Sequence, residues 1–455
     1  MSQQSQDGQQ NQPPLPPKRT GLPLVGSAVR FARDPYAFYD DVADHGDVVR
    51  FSMGSYDMVA VLHPDGIEQV LVEEFERFRK PDDAGGVDVL SEGLLLTDGE
   101  QWQAQRSRLQ PMFYRERVES YAETMGSYAA AAADEWVAEG TVDLSEATST
   151  YTLRVLGKTL FGVNTDDHRA AVRAGAEAIR ERSSQNPVSL DLPDWLPTPG
   201  NRRYRRGVTR LEHVVDDLLD ERRDSPDGED LLSLLLAAAE GESEDGGTGP
   251  TEREIRSQLM TFLFAGHETS ATALTWALYE LGRKPRVARQ LREEVDGVVT
   301  GPHATLADLP DLTYTGQVLR ETLRRYPPAA AIFREADEDV AVGGYRIPED
   351  SYVVLPQFHV HTDGRWWDDP LRFDPSRWEG IDEPPGDRPE YAYFPFGGGP
   401  RHCIGMRFAR MELTLALATV ARRCRVTHDR DDVGIDVGST VAPAEPVRAT
   451  VERRD

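Results

Sequence analysis

Helical spacing of apolar residues dominates this 455-residue chain from Pro64 to about residue 300. Before it, Val48–Phe51 and Met58–Leu62 alternate apolar and polar positions around a Gly-Ser turn, which predicts a β-hairpin. The helical pattern is interrupted by three predicted loops, at 80–93, 185–201 and 239–250. We find no internal repeat and no sharp change of composition. The pattern therefore predicts one large domain of the α+β class, mostly α-helical with small β-sheets.

The longest helical pattern begins at Thr251, where Thr251 and Glu254 have the spacing of a capping box, and continues for about thirty residues. Its middle is apolar on all sides, so we expect a buried central helix. Residues 265–270 in that middle read Ala-Gly-His-Glu-Thr-Ser. A glycine inside a helix costs ~1 kcal/mol relative to alanine, and a buried carboxylate needs a partner. Such unfavourable choices often mark a functional site. The zinc-protease pattern His-Glu-x-x-His is absent, because its last position is Ala271.

The N-terminal segment has a different composition. Met1–Pro17 is rich in Gln, Ser and Pro, and it contains no apolar signal-like stretch. We therefore predict a disordered leader over residues 1–20 and a single domain over 21–455. No apolar run reaches the ~18 residues that a membrane span needs. Cys403 and Cys424 lie at opposite ends of a predicted helix, ~30 Å apart, which is too far for a disulfide. Free thiols without a signal sequence indicate a cytoplasmic protein.

Acidic residues outnumber basic ones by 78 to 51, which gives a net charge of −27. Four lysines are present, so nearly all positive charge is arginine. An acidic, lysine-poor surface is typical of proteins that stay soluble in concentrated salt, and our hypothesis is a halophilic source. Folding and activity that are independent of salt would contradict it. The same charge argues against nucleic acid as a partner.

One cysteine lies in a glycine-rich loop, residues 396–405, which reads Phe-Gly-Gly-Gly-Pro-Arg-His-Cys-Ile-Gly. A predicted helix from Met406 to about Arg423 follows directly. Unpaired amides at the helix N-terminus and the cation of Arg401 favour a thiolate at Cys403. A single cysteine argues against zinc and against an iron–sulfur cluster. A haem iron with one thiolate ligand remains.

This loop resembles the haem-binding loop of the cytochrome P-450 family, F-x-x-G-x-R-x-C-x-G. The matching residues are Phe396, Gly399, Arg401, Cys403 and Gly405. Four further family motifs follow the family's order along the chain: Trp102/Arg106 (W-x-x-x-R), Ala265–Ser270 (A-G-x-[DE]-T-[TS]), Glu321/Arg324 (E-x-x-R) and Phe373–Trp378. The resemblance covers roughly residues 21–450.

The resemblance implies a long central helix that crosses above a bound haem b. Its iron is ligated by the thiolate of Cys403. The other cofactor-binding residues that it implies are Trp102, Arg106, Ala265, Gly266, Arg334, Phe396, Gly399, Arg401 and Gly405. Trp102, Arg106 and Arg334 correspond to donors for the haem propionates, whereas Ala265 and Gly266 leave space beside the iron for dioxygen.

Two catalytic residues and one structural network are also implied. Thr269 hydrogen-bonds the iron-bound oxygen or its water, and Glu268 supplies protons. Glu321, Arg324 and Arg377 form a buried network that braces the haem loop.

The implied activity is monooxygenation, in which O₂ is reductively activated and one oxygen atom enters an apolar substrate. The substrate classes that we expect are fatty acids, carotenoids and other lipid-like molecules. Electrons would come from a separate acidic ferredoxin with its reductase. The expected docking patch consists of Arg407, Arg410, Arg422 and Arg423. Two alternatives stay open: a peroxide-using haem-thiolate enzyme and a non-catalytic haem-thiolate sensor.

Overall fold

The computed structural model describes residues 13–22, 26–54, 56–81, 88–183, 196, 198–224, 228, 230–240, 249–381, 386–428, 430 and 432–454. The α-helices of these residues are α1 (Ala28–Arg33), α2 (Pro35–Ala43), α3 (Pro64–Glu68), α4 (Gly99–Leu109), α5 (Arg115–Glu119), α6 (Ala122–Glu139), α7 (Leu144–Leu156), α8 (Arg169–Ser183), α9 (Pro199–Asp224), α10 (Leu231–Glu240), α11 (Glu252–Thr261), α12 (Glu268–Arg283), α13 (Pro285–Val298), α14 (Thr313–Arg325), α15 (Gln357–Val360) and α16 (Met406–Arg423). Single π-helical turns occur at Gln69–Glu73, Gly157–Phe161 and Phe262–Gly266. Short 3₁₀ turns occur at Phe75–Arg77, Asp88–Leu90, Gln110–Phe113, Asp166–His168, Leu309–Asp311, Pro375–Trp378, Glu390–Ala392 and Gly399–Arg401.

The β-strands are short and form small sheets. They are β1 (Val48–Met53), β2 (Tyr56–Val61), β3 (Phe78–Arg79), β4 (Thr141–Asp143), β5 (Ile332–Ala336), β6 (Val340–Val342), β7 (Tyr345–Ile347), β8 (Tyr352–Leu355), β9 (Cys424–Thr427), β10 (Ile435–Val437), β11 (Val441–Pro443) and β12 (Arg448–Arg453). The largest sheet has the order β1-β2-β8-β5-β3, and a second has the order β4-β12-β9. The predicted class, mostly α-helical with small sheets, is confirmed.

The predicted hairpin is β1 and β2, which pair in antiparallel fashion with Val48 opposite Val61. Gly54 begins its turn with a φ of +60°, and residue 55 lies outside the described residues. Much of the three predicted loops also lies outside the described residues, at 82–87, 184–195 and 241–248. At the described ends, α9 begins at Pro199 and α10 continues to Glu240, so helix extends into two of the predicted loops.

The central helical pattern forms α11, a π turn and α12 in succession. Thr251 and Glu254 form the predicted capping box, in which each side chain accepts the other residue's backbone amide. α12 is buried along most of its length and packs against α7, α14 and α16. The expected uninterrupted helix is wrong in its middle, where Phe262–Gly266 forms a π turn. Single π turns inside helices are frequent at functional sites.

Residues that precede the predicted domain boundary at residue 20 form hydrogen bonds with the fold. Residues 1–12 lie outside the described residues, but the amide of Arg50 donates to the carbonyl of Pro17, and the amide of Arg19 donates to the carbonyl of Arg50 (both 2.8 Å). Pro16 is buried, and Arg346 donates its amide to Pro14 at 2.9 Å. The proline-rich segment therefore lies against the sheet strand β1, because its carbonyls accept hydrogen bonds from protein amides where those of a solvated leader would accept them from water.

Two further sequence expectations are tested by the described residues. Both cysteines are free thiols, as predicted. None of the described helices combines the length and the apolarity that a bilayer crossing requires.

Candidate active site

Residues 396–405 form a closed loop at the N-terminus of α16. The Cys403 amide donates to the Phe396 carbonyl at 2.8 Å, and the His402 amide donates to Gly399 at 3.1 Å. The Gly405 amide donates to the Cys403 sulfur. The Cys403 side chain is exposed, whereas Cys424 at the other end of α16 is buried. The loop therefore presents one accessible sulfur from a fixed backbone.

The expectation that this loop by itself lowers the pKa of the Cys403 thiol, and so favours a thiolate, is wrong. Desolvation raises the pKa of the Cys403 thiol, because the accessible sulfur is nevertheless surrounded by the body of the protein. The Gly405 amide and the Arg106 guanidinium act in the opposite direction but are the smaller effects. A metal ion deprotonates a coordinating thiol outright, so metal binding is the stronger source of thiolate.

The backbone conformation and the space for a side chain differ between Gly399 and Gly405 of the loop. Gly399 has a φ of +61°, and a Cβ there would lie 1.9 Å from the backbone oxygen of Leu71. Gly399 is therefore required for the loop to pack against the π turn at Gln69–Glu73. Gly405 has an ordinary φ of −86°, and its Cβ would lie at normal contact distance, 4.0 Å, from the Cys403 sulfur. Protein contacts do not require glycine at that position.

Helix α4 attaches two predicted residues to the loop. Arg106 donates to the His402 carbonyl at 2.8 Å and to the Gln110 side chain at 2.9 Å. The Arg401 guanidinium lies 4.5 Å from the centre of the Trp102 ring and donates to the Thr97 carbonyl at 2.9 Å. The Trp102/Arg106 pair thus lies beside the cysteine loop, as the resemblance implies, but Arg106 donates to the loop itself.

Positive side chains collect beside this loop. Arg334 on β5 is buried, and burial together with the charge of Arg401 lowers its pKa to about 10. Lys80, which belongs to none of the sequence motifs, has a pKa well below its usual range because of desolvation and the charges of Arg334 and Arg401. Asp98 forms an ion pair with Arg401, so the cluster contains more cations than carboxylates. The sequence signal for Lys80 was the rarity of lysine, since Lys80 is one of four lysines in the chain.

These residues fit haem b. The group needs a soft axial ligand for iron and cations for two carboxylates, and the structure brings Cys403, Lys80, Arg334 and Arg401 to one region. Buried like charges that lower one another's pKa are stabilised when anions join them. Phe396, the remaining predicted loop residue, is partly buried below the guanidinium of Arg410, 5.2 Å from its ring centre.

The π turn positions the second group of predicted residues. Thr269 donates its hydroxyl to the Ala265 carbonyl at 2.8 Å, and Ala265, Gly266 and Thr269 are partly exposed within an otherwise buried helix. A Cβ at Gly266 would approach the Leu156 side chain to 3.0 Å. Glycine is therefore favoured here by the close approach of α7 as well as by any need for space beside a ligand.

Glu268 has an electrostatic environment that the sequence did not reveal. Desolvation raises its pKa to about 7, although Arg180 on α8 lies 3.8 Å away and lowers it. Arg180 also pairs with Asp436 at 3.1 Å. One carboxylate oxygen of Glu268 is buried and has no hydrogen-bond partner among the described residues. Near neutral pH this carboxyl can both release and accept a proton.

A second buried acid lies near this point. Glu412 on α16 is 1% exposed, and desolvation raises its pKa to about 8, whereas the Ser270 hydroxyl acts to lower it. The sequence signal was a glutamate within the apolar part of α16.

Glu321, Arg324 and Arg377 come together as the resemblance implies. Arg324 donates to both carboxylate oxygens of Glu321 at 2.8 Å, and both side chains are completely buried. Arg377 lies 3.4 Å from the same carboxylate, which also accepts from Trp378 at 3.1 Å and from the Asp374 amide at 2.8 Å. One carboxylate therefore joins α14 to the segment 374–378.

The expected docking patch is only partly formed. Arg407 and Arg410 are exposed near the N-terminus of α16. Arg422 and Arg423 lie at its other end, where Arg422 pairs with Asp296 at 3.1 Å and Arg423 pairs with Asp134 at 2.5 Å. The prediction of one four-arginine patch is wrong. The length of α16 separates Arg407 and Arg410 from Arg422 and Arg423, and acidic residues pair with the second two.

A family model described as Cytochrome P-450 matches residues 15–450. Cyclooctatin synthase of Streptomyces melanosporofaciens is 37% identical over 415 residues, which cover 89% of this chain and 88% of the relative. Cyclooctat-9-en-7-ol 5-monooxygenase of the same organism is 34% identical, with 91% of each chain covered. Pentalenene oxygenase of Streptomyces avermitilis is 35% identical, covering 90% of this chain and 91% of the relative.

Replacing the accessible cysteine tests the ligand assignment. We expect the reduced, carbon-monoxide-bound protein to have a strongly red-shifted Soret band, because a thiolate pushes electron density to iron. Cys403→Ser should lose that band, whereas Cys424→Ser, which changes the buried thiol, should keep it. Retention of the band in Cys403→Ser would contradict the assignment.

Removing the central carboxylate of the buried network tests its structural role. Glu321→Gln leaves Arg324 and Arg377 without their negative partner, and we expect a loss of about 3–5 kcal/mol in stability. Denaturant unfolding and haem retention measure the effect. The control is Glu379→Gln, because Glu379 is exposed. Equal stability of the two variants would show that the network does not brace this region.

Proposed function

The chain belongs to the cytochrome P-450 family and is a haem-dependent monooxygenase, and we propose that it oxygenates an apolar, lipid-like substrate with electrons from a separate ferredoxin. The observation that carries the assignment of catalytic residues is the acid–alcohol pair Glu268 and Thr269 at the π turn, with a pKa of about 7 at the acid. We assign one monooxygenase domain, which begins before residue 20.

When bound, haem supplies the redox centre at which O₂ is activated, with one oxygen atom entering the substrate and the other leaving as water. Cys403 would hold the iron, and the closed backbone of its loop fixes the position from which the sulfur binds. Lys80, Arg334 and Arg401 offer positive charge to the propionates. Trp102 and Arg106 maintain the position of the loop through Arg401 and His402.

Oxygen activation at the haem would consume protons, and we assign their delivery to Glu268 and Thr269. In the structure the single hydroxyl proton of Thr269 is donated to the Ala265 carbonyl at 2.8 Å. The hydroxyl oxygen can still accept a proton there, and rotation of the hydroxyl away from Ala265 lets it donate one. The pKa of Glu268, raised by desolvation to about 7, lies far closer to neutral pH than that of an ordinary glutamate. Arg180 stabilises the ionised form, so its contact with Glu268 regulates how readily the acid reprotonates.

The proposed substrate class rests on the relatives and on the turn before β5. The relatives named above act on cyclooctat-9-en-7-ol and pentalenene according to their names. In this chain, Ala329 and Ala331 are partly exposed and present small apolar side chains, as a pocket for an apolar molecule requires. We propose a substrate of similar apolar character.

The two alternatives predict a different active site. A peroxide-using enzyme receives its oxygen already reduced, and a sensor completes no turnover, so neither needs a proton-delivering pair. The presence of Glu268 and Thr269 at a π turn favours the O₂-dependent monooxygenase.

For electron delivery we propose a smaller docking surface than the sequence suggested. Arg407 and Arg410 are exposed within the first five residues of α16, directly behind the cysteine loop. An acidic ferredoxin bound there would lie near the haem edge, and opposite charges would speed its association.

Changing the acid–alcohol pair tests proton delivery. Because Glu268 is protonated below its pKa of about 7, we expect product formed per electron consumed to fall as the pH rises from about 6 to about 8. Glu268→Gln should remove this pH step and slow turnover roughly 10²-fold, and Thr269→Ala should divert electrons to peroxide. Glu268→Asp retains a titrating carboxyl and should retain a step.

Glu412 has a pKa of about 8 and titrates in the same range, so the variant comparison is essential. A pH profile that is unchanged in Glu268→Gln would place the step elsewhere. Product formation that needs added peroxide and no reductant would support the peroxide-using alternative.

Reversing charge behind the loop tests ferredoxin docking. Arg407→Glu/Arg410→Glu should slow the first electron transfer roughly tenfold at low ionic strength, and the difference should shrink as salt screens the charges. Stopped-flow reduction across a salt series measures this. Arg425→Glu/Arg448→Glu makes the same charge change at exposed sites beyond the other end of α16 and should have little effect. Equal slowing by both variants would exclude a local docking surface.

A further inference from the structure

Helix α8 and the N-terminal half of α9 carry a local positive charge that opposes the negative charge of the whole protein. Residues 169–183 and 198–210 contain nine arginines and two glutamates, in a chain of net charge −27. Five of these arginines lie within nine residues of α9, and all five are exposed: Arg202, Arg203, Arg205, Arg206 and Arg210. Neither the monooxygenase reaction nor the proposed ferredoxin surface uses them.

The two helices enclose a groove of about 500 Å³. They approach closely because of Gly207, where a Cβ would lie 2.4 Å from the Cβ of Ala178. One wall of the groove is formed by small residues of α8, including Ala178. The other wall is formed by Arg202, Arg206 and Arg210, which are four residues apart and so lie on one face of α9 with ~6 Å between successive turns.

Acidic residues do not balance this wall. Arg203, which also lines the groove, pairs with Glu181 at 2.8 Å. Among the residues that the structure describes, Arg202, Arg206 and Arg210 form no ion pair with an acidic side chain. Glu177 is the acid that lines the groove. One carboxylate therefore faces several guanidinium groups that remain available to a ligand.

We propose that the α8–α9 groove binds a small, soluble polyanion with adjacent phosphate groups. A planar guanidinium donates two parallel hydrogen bonds to a phosphate, and a row of them at regular spacing suits a short chain of phosphates. Only a small ligand benefits fully from this local charge. Salt at physiological concentration screens a ligand in the groove from acidic residues that lie more than the Debye length of ~8 Å away. A nucleic acid or an anionic bilayer would extend beyond the groove and face the acidic surface around it.

Calorimetric titration of the haem-loaded, full-length protein with inorganic triphosphate tests this. The titration is done at about 0.15 M ionic strength, held constant with sodium chloride. We expect saturable binding of one equivalent, with affinity reduced roughly tenfold or more in Arg206→Glu/Arg210→Glu because like charge replaces the phosphate donors. Arg286→Glu/Arg289→Glu makes the same charge change at exposed positions of α13 and should bind as the parent does.

A conservative variant keeps the test valid if the charge reversal disturbs folding. Arg206→Lys/Arg210→Lys retains the charge but loses the planar donors, and it should weaken binding while the carbon-monoxide spectrum and the melting temperature stay unchanged. Equal weakening by the α13 variant, or the absence of saturable binding, would overturn the proposal. Sedimentation with phosphatidylglycerol vesicles in the absence of triphosphate binding would also overturn it, in favour of a lipid headgroup as the phosphate source.

Discussion

Burial of like charge beside the cysteine loop is the constraint on which this active site depends. Desolvation lowers the pKa values of Lys80, Arg334 and Arg401, and the charge of Arg401 adds to this effect at Lys80 and Arg334. Desolvation also raises the pKa of the Cys403 thiol. A group that bears two carboxylates and an iron ion would reduce both of these free-energy costs, because it supplies anions to the cations and a metal to the thiol. We therefore expect haem binding to stabilise this region, since the cofactor would neutralise charges that the protein has concentrated.

The rest of the site positions this charged region from several distant elements. Gly399 lets the loop contact the π turn at Gln69–Glu73, and α4 holds it through Arg106 and Arg401. Glu321 binds two arginines, a tryptophan and a backbone amide in a place without solvent. A buried carboxylate is tolerated there because all of these donors converge on it.

Next to the π turn at Phe262–Gly266, burial changes the acidity of one side chain, Glu268. Desolvation inside an apolar helix destabilises the charged form of a carboxyl, and this raises the pKa of Glu268 to about 7. Arg180 opposes the shift from α8, so the acid is balanced between two protonation states by a neighbouring helix. The same helix forms a wall of the arginine-lined groove, so α8 contributes residues both to the surroundings of Glu268 and to the proposed polyanion site.

The sequence by itself determined the elements and the motif residues, because helix periodicity, the capping box at Thr251 and the spacing around Cys403 are local properties. It also paired Glu321 with Arg324 correctly, since three residues on one helix define their distance. Only the tertiary structure decided what surrounds these residues. It added Lys80, Arg180 and Glu412, whose roles depend on residues far away in the chain, and it separated the arginines of α16. Desolvation and ion pairing arise from packing, and no spacing in the sequence encodes them.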